Sequence, residues 1–212
     1  MTQTHDALIF DMDGTLWDAV DSYVWIWNEG FSQLGIDKTF TREELVGMMG
    51  EQPDIIIGRC IADQPDVDIQ KVYDAVFGLQ ERTMPLLGGK LYEGVREGLE
   101  QLSGQYKLFV LSNCEHYAIR QFLEFTNLSS FFVDSISFGE TRIPKALNMQ
   151  LLKARHQLNN PVYIGDTDSD RKQSEAAGIP FIHVTYGFGQ TEKFAAQFND
   201  FTELTKHFLK TK

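Results

Sequence analysis

Five short apolar runs along the chain are rich in β-branched and aromatic residues. In most of them the apolar residues are consecutive and do not alternate with polar ones. Consecutive apolar residues are typical of strands that are buried on both faces of a parallel sheet. We therefore predict parallel strands at residues 7–10, 108–111, 132–138, 162–164 and 181–184.

Helical periodicity fills the gaps between these runs from residue 90 onward. Apolar residues recur three and four positions apart within residues 92–102, 119–126 and 147–158, which is the spacing of one helix face. Strands that alternate with helices predict a doubly wound α/β core with a parallel, Rossmann-like sheet. In such sheets ligands bind outside the carboxyl ends of the strands.

The stretch from residue 18 to residue 87 breaks this alternation. One helix face is apolar from residue 20 to 34 and another from 69 to 80, and Thr41 with Glu44 is typical of a capping box. We predict an inserted all-helical cap at residues 18–87, with the α/β core formed by residues 1–17 and 88–212. Residues 85–89, Pro-Leu-Leu-Gly-Gly, are expected to be the hinge that returns to the core.

The net charge narrows the possible partners. The chain of 212 residues has 19 basic and 30 acidic side chains, which gives a formal net charge of −11. An acidic surface argues against nucleic acids and anionic membranes as partners. A phosphate site in such a chain would need local positive potential from a lysine, from backbone N–H groups or from a bound metal.

The cysteines, the histidines and the start of the chain narrow the class of protein further. Two cysteines far apart and five scattered histidines argue against a disulfide framework or a zinc site. No apolar run approaches the roughly 18 residues that span a bilayer. The first residues do not resemble a signal peptide, so we expect a cytoplasmic protein.

The first candidate chemistry is a pair of acids directly after the first predicted strand. Asp11 and Asp13 are two positions apart, which places both carboxylates on one side of an extended chain. Gly14 lets the chain turn away through dihedral angles that other residues resist. Two close carboxylates repel each other, so a divalent cation or a shared proton would relieve the repulsion. A solvated Asp-Gly turn is the alternative interpretation.

Further polar residues follow the later strands. Ser112 and Asn113 come after the second predicted strand, where a hydroxyl and backbone N–H groups at a helix start can bind an anion, although both residues are also common helix caps. Lys145 follows the third strand and could supply a positive charge, with Arg142 as a nearby competitor.

A second acidic cluster follows the fourth predicted strand. Asp166, Asp168 and Asp170 lie within five residues, and such closely spaced carboxylates favour a hard cation such as Mg²⁺. A solvated loop that caps the next helix is the alternative. Taken together, two acid clusters, a hydroxyl and a lysine all fall where predicted parallel strands end.

In this order the motifs resemble the haloacid dehalogenase-like hydrolase superfamily. The matching segments are Asp11-Met-Asp-Gly-Thr-Leu, Ser112-Asn, Lys145 and Gly165-Asp with Asp170. The helical insert after the first strand is similar to the cap of the phosphoglycolate phosphatase and β-phosphoglucomutase branch. Residues 91–95 and 176–179 also look like that branch.

The resemblance implies a role for each matching residue. Asp11 would be the nucleophile that forms an aspartyl-phosphate, Asp13 would protonate the leaving oxygen and then activate water, and Lys145 would neutralise the reacting groups. The residues expected to hold phosphate oxygens are Thr15, Ser112 and Asn113. The expected Mg²⁺ ligands are Asp11, the backbone carbonyl of Asp13, and Asp166, with Asp170 as a ligand or as an orienting residue.

The resemblance therefore predicts a Mg²⁺-dependent phosphatase that hydrolyses a small phosphorylated metabolite. A sugar phosphomutase of the β-phosphoglucomutase type would use the same aspartates. A dehalogenase would have no use for an acid at Asp13, and a non-catalytic phosphate-binding or signalling protein is the alternative from another class. The loop at residues 47–52 is expected to contact the leaving group of the substrate, with Met49 as the residue to test.

Overall fold

A six-stranded parallel sheet forms the centre of the computed structural model, which describes residues 5–62, 64 and 66–210. Residues 1–4 and 211–212 of the predicted core and residues 63 and 65 of the predicted cap lie outside this range. The strands are β1 (Ala7–Phe10), β2 (Trp17–Asp18), β3 (Lys90–Leu91), β4 (Lys107–Ser112), β5 (Asp134–Ser137), β6 (Pro161–Gly165), β7 (Phe181–Val184) and β8 (Ala196–Phe198). The main sheet has the order β5-β4-β1-β6-β7-β8, and every pairing in it is parallel.

Helices cover both faces of this sheet. They are α1 (Val20–Gln33), α2 (Arg42–Val46), α3 (Pro53–Cys60), α4 (Ile69–Leu87), α5 (Val95–Ser103), α6 (Ala118–Thr126), α7 (Phe138–Thr141), α8 (Lys145–Arg155), α9 (Asp168–Ala177) and α10 (Phe201–Lys210). Within β1, Leu8 and Phe10 pack with α5, α6 and α10, while Ala7 and Ile9 pack with α8 and α9. Both faces of β1 are buried, which explains its uninterrupted apolar sequence. The predicted doubly wound α/β fold is confirmed.

The chain between β2 and β3 is helical and contains α1 to α4; we call it the helical segment. Its main contact is between α1 and α4, and Gly30 allows close approach because a Cβ there would lie 3.0 Å from Val76 Cγ2. The predicted capping box is present at α2, where Thr41 Oγ1 accepts from the Glu44 N–H and Glu44 accepts from the Thr41 N–H. The division into a core domain and a cap domain stays a prediction.

The predicted hinge at residues 85–89 is wrong for residues 85–87, which are helical. Pro85 lies inside α4, which continues to Leu87. Proline has no N–H for the carbonyl four residues earlier, but the Glu81 carbonyl accepts from Gln121 Nε2 at 2.7 Å instead. The helix ends at Gly88, whose φ is 60°. The chain enters and leaves the helical segment through the antiparallel pair of β2 and β3.

Two further expectations need correction. The third predicted strand, residues 132–138, is shorter in the structure: β5 begins at Asp134, and it ends at Ser137 because that residue caps α7. On α8, the predicted apolar face carries Leu147 and Leu151, which are 48% and 36% exposed. The buried face instead contains Lys145, Met149 and Leu152, which are four and three positions apart. This face is buried because Lys145 points inward to the carboxyl end of β1.

None of the helices in the described part of the chain has the length and hydropathy required to cross a bilayer. Cys60 and Cys114 are both free thiols.

Candidate active site

The carboxyl ends of three neighbouring strands bring the candidate residues together. Asp11 directly follows β1, Ser112 is the last residue of β4, and Asp166 directly follows β6. The chain crosses from β1 to β4 on one side and reaches β6 on the other, so β1 is the point where the strand order reverses. Lys145 joins them from the first turn of α8, beyond β5.

A buried cluster of three carboxylates and one ammonium group lies at this point. Carboxylate oxygens of Asp11, Asp166 and Asp170 lie within 4.8 Å of one another. Lys145 Nζ donates to Asp11 Oδ1 at 3.0 Å and to Asp170 Oδ1 at 2.7 Å. All four side chains are almost fully inaccessible to solvent. Such an arrangement is costly unless the charges compensate one another.

The pKa values of the cluster reflect burial first and the neighbouring charges second. Burial raises the pKa of Asp11 to about 6, although the nearby Lys145 opposes that rise. Burial, with the charges of Asp170 and Asp11, raises the pKa of Asp166 well above its usual range. Burial alone would lower the pKa of Lys145, but the two carboxylates outweigh it and raise this pKa. One lysine does not neutralise three carboxylates, so a divalent cation fits both the charge and the oxygen donors of the site.

Asp166 is held in place by the backbone around it. Its Oδ2 accepts from the Phe188 N–H at 2.6 Å, and its Oδ1 accepts from Thr15 Oγ1 at 3.4 Å. Gly14 has a φ of 83°, and a Cβ there would lie 2.3 Å from Asp166 Oδ2. Gly14 therefore serves the tight turn predicted from the sequence and also allows close approach to Asp166.

Asp170 both caps a helix and holds the lysine. Its Oδ2 accepts from the N–H and the hydroxyl of Thr167, at 3.2 and 2.6 Å, in the capping box of α9. Its Oδ1 accepts from Lys145 and, at 3.2 Å, from the Tyr163 hydroxyl. Burial opposes ionisation, but Lys145 outweighs it and lowers the pKa of Asp170. With both oxygens engaged, Asp170 orients Lys145.

Asp168 lies outside the cluster. Its side chain is 42% exposed and pairs with Arg171 at 2.6 Å and with Lys172 at 2.9 Å on α9. The hydrogen bond from Arg171 is the main cause that lowers the pKa of Asp168. Arg142, the competitor of Lys145, also lies elsewhere, because its guanidinium group contacts Glu115 at 3.2 Å.

Two aromatic side chains hold Asp13. Trp17 Nε1 donates to Asp13 Oδ1 at 3.0 Å, and the Tyr23 hydroxyl donates to the same oxygen at 3.1 Å. Burial and the charge of Asp11 raise the pKa of Asp13 to about 7, although these two hydrogen bonds oppose the rise. Neither contact was predicted from the sequence. Tyr23 lies on the apolar face of α1, where a tyrosine that packs and a tyrosine that binds Asp13 give the same pattern.

A cavity of about 70 Å³ separates these residues from the helical segment. Asp11, Asp13 and Ser112 line its core side. Met49 lines the opposite side within the loop at residues 47–52, and Asn113 Nδ2 ties that loop to the core by donating to the Gly50 carbonyl at 2.8 Å. Ser112 and Asn113 therefore border the cavity, while the fully buried Thr15 hydroxyl is directed toward Asp166.

Comparisons with known proteins show the family and the fold that this chain is similar to. The family model described as haloacid dehalogenase-like hydrolase matches residues 8–184. The phosphoglycolate phosphatase of Photobacterium profundum is 28% identical over 202 residues, which cover 89% of this chain and 87% of that protein. The phosphoglycolate phosphatase of Rhodobacter capsulatus is 26% identical over 214 residues, which cover 93% and 94% of the two chains. In fold, a haloacid dehalogenase-like family hydrolase from Streptococcus pneumoniae matches 98% of this chain and 100% of its own, with a TM-score of 0.85 and 22% identity.

The buried cluster predicts that replacing Lys145 lowers the free energy of unfolding far more than replacing the exposed Lys172. Lys145→Met leaves three buried carboxylates without their cation, so we expect the free energy of unfolding to fall by about 3–5 kcal/mol in the presence of EDTA. Lys172→Met removes an exposed lysine that pairs with Asp168, and should cost less than about 1 kcal/mol. Urea denaturation of both variants measures this difference. Equal losses in the two variants would contradict the compensating role of Lys145.

Proposed function

This chain belongs to the haloacid dehalogenase-like hydrolase family, and from that premise we propose that it is a Mg²⁺-dependent phosphatase of small phosphorylated metabolites. The proposed reaction passes through an aspartyl-phosphate on Asp11. The observation that carries the proposal is the contact of Lys145 Nζ with Asp11 Oδ1, at 3.0 Å, inside a buried carboxylate cluster. Two relatives that are named phosphoglycolate phosphatase support phosphate-ester hydrolysis.

In the first step, an Asp11 oxygen attacks the phosphorus of the ester. The bond from Asp11 to phosphorus forms while the bond from phosphorus to the alcohol oxygen breaks. With a pKa of about 6, Asp11 is mostly ionised at neutral pH and can act as a nucleophile. The departing alcohol oxygen takes a proton from Asp13, whose pKa of about 7 leaves a substantial protonated fraction.

In the second step, water hydrolyses the aspartyl-phosphate. Asp13, now ionised, removes a proton from the water as its oxygen attacks phosphorus. The bond between phosphorus and Asp11 breaks, inorganic phosphate leaves, and the Asp11 carboxylate is restored. Hydrogen bonds from Trp17 and Tyr23 to Asp13 Oδ1 support this double role, because they restrict the carboxyl group through both steps.

The positive potential that the phosphate requires comes from a few groups. Lys145 lies against Asp11 and would reduce the repulsion between the nucleophile and the phosphate dianion. Phosphate oxygens would be held at the cavity floor by Ser112 and by the backbone near Asn113. The Thr15 hydroxyl, expected to hold phosphate, is directed at Asp166 instead and would help to position that carboxylate. Local groups of this kind allow an enzyme with a net charge of −11 to bind an anion.

Mg²⁺ is the metal that fits this donor set. The proposed ligands are Asp11, Asp166 and the backbone carbonyl of Asp13, with Asp170 in an orienting role through Lys145. All of these donors are oxygen atoms, which Mg²⁺ prefers. When bound, the ion would add the positive charge that the carboxylate cluster lacks and would stabilise charge on the transferring phosphoryl group.

The proposal includes the substrate class and the cellular location. A small phosphorylated metabolite in the cytoplasm suits an acidic chain that offers little to nucleic acids or anionic membranes. A phosphomutase would pass the phosphoryl group from Asp11 back to a sugar. Product analysis separates the two reactions. A phosphomutase would convert a sugar 1-phosphate into an isomer, whereas a phosphatase would release free phosphate from it.

The nucleophile is tested by phosphate release in the presence of Mg²⁺. Asp11→Asn should lower kcat with p-nitrophenyl phosphate by at least about a thousandfold, because the amide cannot form the aspartyl-phosphate. Asp168→Asn is the matched control, since it removes a carboxylate that pairs on the surface of α9; it should keep most of the activity. Release that survives Asp11→Asn would refute the assignment of the nucleophile.

The metal site is tested by thermal unfolding, which does not depend on activity. Mg²⁺ at about 100 times its dissociation constant should stabilise the unmodified protein by roughly 2.7 kcal/mol, and EDTA should reverse the rise in Tm. Asp166→Asn should lose most of this rise, whereas Asp168→Asn should retain it. An equal rise in both variants would mean that Mg²⁺ binds somewhere other than this cluster.

A further inference from the structure

The wall of the cavity opposite the aspartates is largely apolar. Aromatic side chains from α1 and α4 line it together with aliphatic residues from the loop and the start of α3: Tyr23, Trp27, Phe77, Met49, Pro53 and Ile56. These residues face the position where the alcohol part of a phosphate ester would lie once its phosphate reached Asp11. With a volume of about 70 Å³, the cavity has room for roughly two waters at about 30 Å³ each, which suits a small alcohol.

The charged residues along this cavity are all acidic in the described part of the chain. Glu51 and Glu115 line it beside Asp11 and Asp13, and neither lysine nor arginine does. Lys145 is committed to Asp11 and Asp170. Arg59 and Arg142, each 53% exposed, pair with Glu51 and Glu115 without lining the cavity.

Two lining residues offer acceptor oxygens that have no partner. Glu51 Oε1 pairs with Arg59, but Glu51 Oε2 is buried and accepts no hydrogen bond. The amide nitrogen of Asn113 donates to the Gly50 carbonyl, which fixes the orientation of the amide and leaves its buried Oδ1 without a partner. Buried acceptors without partners are costly, and a ligand whose donors reach these oxygens from the cavity would satisfy them.

We propose that this site takes phosphate esters of small uncharged or cationic alcohols that carry a hydrogen-bond donor, and that it disfavours esters whose alcohol part carries a carboxylate. The inference rests on the phosphatase activity proposed above. A carboxylate in the cavity would approach Glu51 and Glu115 without a free cation to meet it, and it would leave both acceptor oxygens without donors. A hydroxyl or ammonium group would satisfy them. This preference differs from the substrate named for the phosphoglycolate phosphatase relatives.

Three esters with the same two-carbon frame test the preference in the unmodified enzyme with Mg²⁺. They are 2-hydroxyethyl phosphate, 2-aminoethyl phosphate and 2-phosphoglycolate, which end in a hydroxyl, an ammonium and a carboxylate group. We expect kcat/KM for the hydroxyl and ammonium esters to exceed that for 2-phosphoglycolate by at least about tenfold. Equal or faster hydrolysis of 2-phosphoglycolate would overturn this inference and leave the proposed phosphatase intact. Failure to hydrolyse all three esters and p-nitrophenyl phosphate would instead refute the phosphatase, and the inference with it.

The contribution of Glu51 is tested by a matched pair of variants. Glu51→Gln keeps the shape of the side chain and an acceptor for Arg59 but removes the negative charge. The ratio of kcat/KM for the hydroxyl ester to kcat/KM for 2-phosphoglycolate should therefore fall by several fold. Asp54→Asn removes one negative charge from an exposed position of α3 that does not line the cavity, and it should leave the ratio of kcat/KM values unchanged. An unchanged ratio in Glu51→Gln, or an equal change in both variants, would overturn the role given to Glu51.

Discussion

The buried pairing of Lys145 with Asp11 and Asp170 is the interaction on which the rest of the site depends. Three carboxylates that lie together away from solvent need compensation by positive charge or by protons, and Lys145 supplies positive charge from a helix that follows a different strand. The pairing also determines which face of α8 is buried. Lys145 must point toward β1, so Met149 and Leu152 pack inward with it while Leu147 and Leu151 remain exposed.

The site divides into two regions with opposite electrostatic demands. At the ends of the strands, Lys145 and the proposed metal would provide the positive charge that a phosphate needs. On the side of the helical segment, the cavity is bordered by aromatic groups and by Glu51, and Glu115 of the core lies beside it. Neither lysine nor arginine lines the cavity among the described residues. The first region would therefore recognise the phosphate, which all substrates share, and the second would select the alcohol. This arrangement reconciles phosphate chemistry with a chain whose net charge is −11.

The fold was largely predictable because its signals are local. Consecutive apolar residues identified β1 and β7 with their observed bounds, and acids that directly follow such strands in a parallel sheet meet at one edge. Contacts that depend on the fold as a whole were not predictable. Tyr23 binds Asp13 from an apolar helix face, and the Phe188 N–H holds Asp166 from a loop without a distinctive sequence. Pro85 lies inside α4, and the Glu81 carbonyl that it leaves without a helix N–H accepts from Gln121, which is far away in sequence.

A rapid acid quench of a single turnover tests most directly whether Asp11 becomes phosphorylated. The enzyme would be mixed in excess with Mg²⁺ and an ester carrying a radioactive phosphoryl group, quenched at successive times, digested and mapped by mass spectrometry. We expect label to appear on the peptide that contains Asp11 before free phosphate accumulates, and then to decay as phosphate is released. Phosphate that appears at its full rate without any protein-bound label, or label on a peptide that lacks Asp11, would contradict the proposed mechanism.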